Sequence, residues 1–183
     1  FNILSEQVLS VGKDEFGFER QSLIRFRPIK ESDGGLLPDD AEITDAHIRL
    51  YKVGSEAGTV NFYRLAGGFD ESTVTWKTKP VISSSNTVAS VDLPAKAGWY
   101  NVKIPLSLLE AWLTSSQLNH GITICPDWAE AGKAISFRSD ESSDHPPTLV
   151  ISYIGSSPDT PAPTPDTSDT DPCTLTYTVI PEN

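Results

Sequence analysis

The chain of 183 residues has no methionine and only two cysteines, Cys125 and Cys173. Neither cysteine lies in a CxxC or Cys/His spacing, and the three histidines, His47, His120 and His145, are scattered, so no zinc motif can be read. Basic residues are scarce as well. Fourteen Lys and Arg face 25 Asp and Glu, for a formal charge of −11. Nucleic acid needs clustered Lys and Arg to neutralise its phosphates, and this composition argues against such a partner. Long apolar runs are missing: the richest, Leu149 to Ile154, is far short of the ~20 residues of a membrane-spanning helix. There is no GxSxG elbow, HExxH pair, P-loop or dinucleotide turn, so no local motif marks an enzyme, and none of the many carboxylate pairs stands out as a glycosidase pair. A start at Phe1 without an initiator Met suggests a mature chain whose targeting segment was removed, or a fragment. Two isolated cysteines then read most naturally as one Cys125–Cys173 disulfide, within or between chains, in an oxidising, extracellular setting.

What is present is strand chemistry. The runs 21–27, 43–53, 59–65, 72–76, 99–104, 120–124, 133–138 and 148–154 alternate apolar with polar residues or are rich in β-branched and aromatic ones. Gly, Pro, Asp and Ser clusters separate them, as in SDGG at 32–35 and SSDHPP at 142–147. Many short strands between such turns predict an all-β antiparallel sandwich over residues 1–154. One segment differs. Residues 105–116 place Pro105 at a first helical position and Leu106, Leu109 and Leu113 on one stripe with Trp112 beside it, predicting a single short helix.

Residues 155–172 are a different material, with five Pro, four Asp, four Thr and three Ser. Such a segment cannot build a core and predicts an extended spacer of roughly 50 Å. Residues 173–183 follow, and within them Leu175, Tyr177 and Val179 alternate with threonines as in a half-buried strand. A lone strand needs a sheet to join.

Four segments resemble a known family: VLSVG at 8–12 with SLIRFRPI at 22–29, LPDDAEITDAHIRLYKV at 37–53, FDESTVTWKTKP at 69–80, and WYNVKIPLSLLEAWL at 99–113 leading to HGITI. ISFRSDESSDHPPTLVISY at 135–153 completes the pattern. The stretch 8–153 resembles the DNRLRE domain, also called the disaggregatase-related repeat, and its relatives among the carbohydrate-binding modules of secreted polysaccharide lyases. The resemblance implies a non-catalytic jelly-roll sandwich of the extracellular or cell-surface kind. It also implies one more strand before VLSVG, where this sequence has only FNILSEQ. Without that strand the sandwich would show an unpaired edge, which residues 173–180 could fill.

Sugars stack on aromatic faces, which draws attention to the four tryptophans. Trp76, Trp99 and Trp112 fall inside the framework segments and are expected in the core. Trp128, in the loop PDWAEAG, is the candidate exposed platform. Asp140, Glu141 and Asp144, beside His145, could hold a calcium ion, although SDESSD lacks the D-x-D-x-D-G spacing and a solvated turn is the plainer reading. No other cofactor is expected.

Three functions compete. The first is a subunit of an extracellular filament, in which Leu175, Tyr177 and Val179 of one chain complete the sandwich of an identical neighbour. The second is a polysaccharide-binding or adhesive module of a larger secreted protein. The third is a monomer whose tail folds back on itself. The tail favours the first.

Overall fold

The computed structural model describes residues 8–82 and 84–154. The predicted spacer 155–172 and the strand-donor residues Leu175, Tyr177 and Val179 lie outside them, as does Cys173.

Strict alternation is clearest in the longest strand. In β4 (Glu42–Val53) the side chains of Ala46, Ile48, Leu50 and Lys52 are buried while their odd-numbered neighbours are only partly so. A period of two on a pleated backbone sends one set to the core and the other to the opposite face. The remaining strands are β1 (Val8–Lys13), β2 (Glu19–Arg20), β3 (Ser22–Ile24), β5 (Gly58–Arg64), β6 (Thr87–Leu93), β7 (Gly98–Lys103), β8 (Ile122–Pro126), β9 (Ala134–Arg138) and β10 (Thr148–Ile154), with one helix, α1 (Leu106–Thr114). They form two antiparallel sheets. One runs β10-β4-β9-β1-β2 with β7 also on β4, and the other runs β3-β8-β5-β6. Ile48, Leu50, Val60, Phe62, Ile122, Ile124, Ile135 and Phe137, each at most 1 % exposed, come from both sheets and fill the space between them. Among the described residues, the expected antiparallel sandwich with one helix is therefore the observed fold.

Close approach of β1 to β9 needs a glycine. Gly12 has φ 135°, and a Cβ there would lie 2.2 Å from the Lys133 carbonyl oxygen. Only glycine accepts both that backbone and that contact.

Three local expectations are corrected. Residues 72–76 are turns, not a strand, because Asp70 captures the backbone: its carboxylate accepts from the Ser72 amide and hydroxyl, and its carbonyl from the amides of Thr73 and Val74. A side chain that bonds its own backbone competes with a ladder. β6 was not expected, since TVASVDL is only weakly apolar; as an edge strand it buries little beyond Leu93. In α1, Pro105 precedes the helix as its cap, and the buried residues are Leu108, Leu109 and Trp112 rather than the Leu106–Leu109–Leu113 stripe.

Register along β4 shapes the face described next. β7 occupies one side of β4, from His47 to Lys52. β9 and β10 lie end to end along the other, with Phe137 opposite Lys52 and Thr148 opposite Arg49. Between these pairs β4 offers two residues, Leu50 and Tyr51, whereas the chain inserts ten, Arg138 to Pro147. The surplus forms a loop beside Tyr51.

Candidate functional site

Because Ala46, Ile48, Leu50 and Lys52 point inward, His47, Arg49 and Tyr51 share the face of the first sheet turned away from the core. On β7, Val102 is buried, so Trp99, Asn101 and Lys103 point outward by parity, and all three are exposed. Register then sets Tyr51 directly opposite Trp99 and Arg49 opposite Asn101. Cross-strand neighbours of this kind touch. The Tyr51 and Trp99 rings meet edge to face, with centroids 5.4 Å apart and planes at 83°. The Arg49 guanidinium lies 4.6 Å from the Trp99 ring centroid. From the inserted loop His145 stacks on Tyr51, 4.2 Å away at 29°, and lies 5.4 Å from Trp99. Trp99 nonetheless keeps 39 % of its surface exposed. Three rings and a guanidinium are thus gathered on a solvent-facing sheet.

The electrostatics of this face are local. Lys103 lies 3.0 Å and His47 3.5 Å from the two oxygens of Asp45. The hydrogen bond from Lys103, then that from His47, holds the Asp45 carboxyl below the usual carboxylate range. Arg138 contacts Asp144 at 3.3 Å. Arg49 has no carboxylate partner among the described residues. A planar cation over an aromatic ring is held by the ring quadrupole and keeps its outer N–H groups for a ligand.

Aromatic rings beside a few polar groups on an open face suit the apolar faces and hydroxyls of pyranose rings. A family-model comparison agrees, matching residues 2–153 to carbohydrate-binding module family 96. The chain belongs to that family. No curated protein matches the chain significantly. Family membership supports the carbohydrate-binding reading of the sequence, not the filament reading that the tail favours.

Within the module, the predicted site residues fall in different places. Trp112 is buried as expected, at 3 % exposure. Trp99 and Trp76, expected in the core, are instead exposed, at 39 % and 48 %. For Trp99 the reason is strand parity. Trp76 sits in the Asp70 turn region with the Lys79 ammonium 4.6 Å from its ring centroid. Trp128, the candidate platform, is half-buried in the loop after β8. Its Nε1 donates to the Lys133 carbonyl at 3.1 Å, the Lys133 ammonium lies 5.0 Å from its ring centroid, and it packs tightly on Gly58. That residue braces a loop on the second sheet.

Asp140, Glu141 and Asp144 do not converge. Among the described residues no group of three or more His, Cys, Asp or Glu side chains could hold a metal ion. Asp144 turns to Arg138, Ser142 and His145. Asp140 and Glu141 act on Glu71, whose carboxyl is pushed up first by burial and then by these two charges. Cys125 is buried at 8 % exposure beside the Thr123 hydroxyl, and burial pushes its thiol up. Tyr51, Arg49 and His145 went unrecognised as site residues in the sequence. For Arg49 and Tyr51 the available signal was the parity of IRLYKV, which puts both on the face opposite Ile48, Leu50 and Lys52. His145 had none, because the β9–β10 loop alone brings it there.

Proposed function

We propose that this module binds a polysaccharide on the outward face of its first sheet, without turning it over, as part of an extracellular protein. The carrying observation is the exposed Tyr51–Trp99 pair with Arg49 over the indole. A pyranose ring would stack on the exposed indole while Arg49 and Asn101 reach its oxygens. The resemblance to the DNRLRE domain and to modules of polysaccharide lyases supports the same reading. Affinity electrophoresis in gels containing a neutral β-glucan, a xylan or polygalacturonate tests it. Retardation by at least one of the three is expected, and unchanged mobility in all of them would count against the reading.

A second reading concerns assembly, and one observation favours it. β10 stands at the end of its sheet, paired with β4 along one edge and with no strand along the other among the described residues. A neighbouring copy's Leu175, Tyr177 and Val179 would suit such an edge, and head-to-tail docking that does not close makes a filament. Light scattering of the full chain beside a chain lacking residues 173–183 decides it. Assembly is expected only in the full chain; equal scattering from both would end the idea.

A further inference from the structure

The loop that interrupts the β9–β10 line is held in a costly conformation. His145 has φ 59°, and it is the one non-glycine residue at positive φ among the described residues. Left-handed backbone is strained for a histidine, and such strain persists only where the surroundings enforce it. Here they do. The Ser142 hydroxyl donates to the Asp144 carboxylate at 2.8 Å, Arg138 contacts the same carboxylate at 3.3 Å, and the Nδ1 of His145 lies 3.1 Å from it. Pro146 and Pro147 follow at once, restricting the backbone before and after them. The result is an imidazole laid on Tyr51 and facing Trp99.

Which nitrogen carries the proton follows from the partner. An ionised carboxylate only accepts hydrogen bonds, so the Nδ1 facing Asp144 must be the donor. The hydrogen bond from Ser142, then that from His145, keeps the Asp144 carboxyl below its ordinary range and hence ionised. In the neutral ring Nε2 is then left as an acceptor, and among the described residues it has no partner. Filling the face of Tyr51 would need only a ring. An imidazole with one nitrogen fixed and the other open is a directed acceptor.

Resting on the carbohydrate-binding reading above, we infer that His145 is a specificity-determining contact whose Nε2 accepts a hydrogen bond from a pyranose hydroxyl, with Asp144 as its positioning residue. The sugar bound over Trp99 must then carry a free hydroxyl at the edge facing the 138–147 loop. A ring lacking that hydroxyl, or bearing an ether there, would be bound less well.

Affinity gels with whichever of the β-glucan, the xylan and polygalacturonate retards the parent protein provide the test. His145→Ala removes ring and acceptor; His145→Phe keeps a ring of similar size at the same strained position but has no acceptor. Both are expected to bind about five- to tenfold more weakly, the effect of one hydrogen bond. Asp144→Ala should weaken binding by a similar factor, and the Asp144→Ala/His145→Ala double variant no further, as two residues acting as one unit require. Unfolding midpoints show whether each variant is folded. If His145→Phe binds like the parent while Trp99→Ala binds far more weakly, the imidazole is only a ring over Tyr51 and this inference falls while the carbohydrate face stands. If Trp99→Ala keeps full affinity, the face itself is misassigned and both fall.

Discussion

Replacing Trp99 by alanine should lower polysaccharide affinity about thirtyfold and leave the unfolding midpoint nearly unchanged. The indole keeps 39 % of its surface exposed on the outward face, and both Tyr51 and Arg49 pack against it. A central aromatic anchor typically contributes about 2 kcal/mol or more to binding, and each 1.4 kcal/mol is about tenfold in Kd. Removing it also frees Arg49 from its ring, so the guanidinium loses the surface that orients it. Stability should hardly move, because Trp99 projects away from the core and exposed positions shift stability by about 0.5 kcal/mol or less. Trp112→Ala should do the reverse. That ring is 3 % exposed and packs in the core beside Leu108 and Leu109, so its loss should destabilise the module by about 3–5 kcal/mol and leave the affinity of the folded fraction intact. Isothermal titration calorimetry and urea unfolding on both variants separate the two effects. Equal losses of affinity in both would show that binding follows global stability and not the Trp99 face.

The two tryptophans show what was legible in the sequence and what was not. Period-two alternation gave β4 and β5 nearly to their ends, because each has one face in the core and the other outside, while β10, buried on both faces from Thr148 to Ile151, was legible from its run of β-branched and apolar residues. The same rule, applied backward from Val102 and Ile104, puts Trp99 on the outside; treating every framework tryptophan as core overrode it. At 72–76 a strand-like composition lost to the Asp70 side chain, which satisfies the backbone locally. The binding face is harder to see. Tyr51 and Trp99 are 48 positions apart and His145 lies 94 from Tyr51. They meet only through the β4–β7 register and through the place where β9 gives way to β10. No local window contains either fact. SDESSDHPP therefore reads as a solvated turn or a loose cation loop, while in the fold its acids diverge and its histidine is the residue delivered to the face.

Phe62→Ala should cost about 3–5 kcal/mol of folding stability, the usual range for a phenylalanine cut back in a close-packed core. Phe62 is 1 % exposed in β5, paired with Ile124 of β8 on one side and Ala89 of β6 on the other, and it reaches the centre of the core. Neighbours fixed in two sheets cannot collapse into the space left behind, so the lost transfer free energy is joined by the cost of a cavity. Domains of this size are stable by about 5–15 kcal/mol, so the variant should stay folded in water and unfold at a much lower urea concentration. Its slope against urea should be unchanged, since the surface exposed on unfolding is nearly the same. Asn61, one residue earlier, is the control. It faces the other way and is only half-buried, so Asn61→Ala should cost less than about 1 kcal/mol. The binding face belongs to the other sheet, so polysaccharide affinity measured well below the Phe62→Ala transition should match the parent. If Asn61→Ala proves as costly as Phe62→Ala, β5 does not present alternate residues to the core, and the assignment of inward and outward faces on the second sheet is wrong.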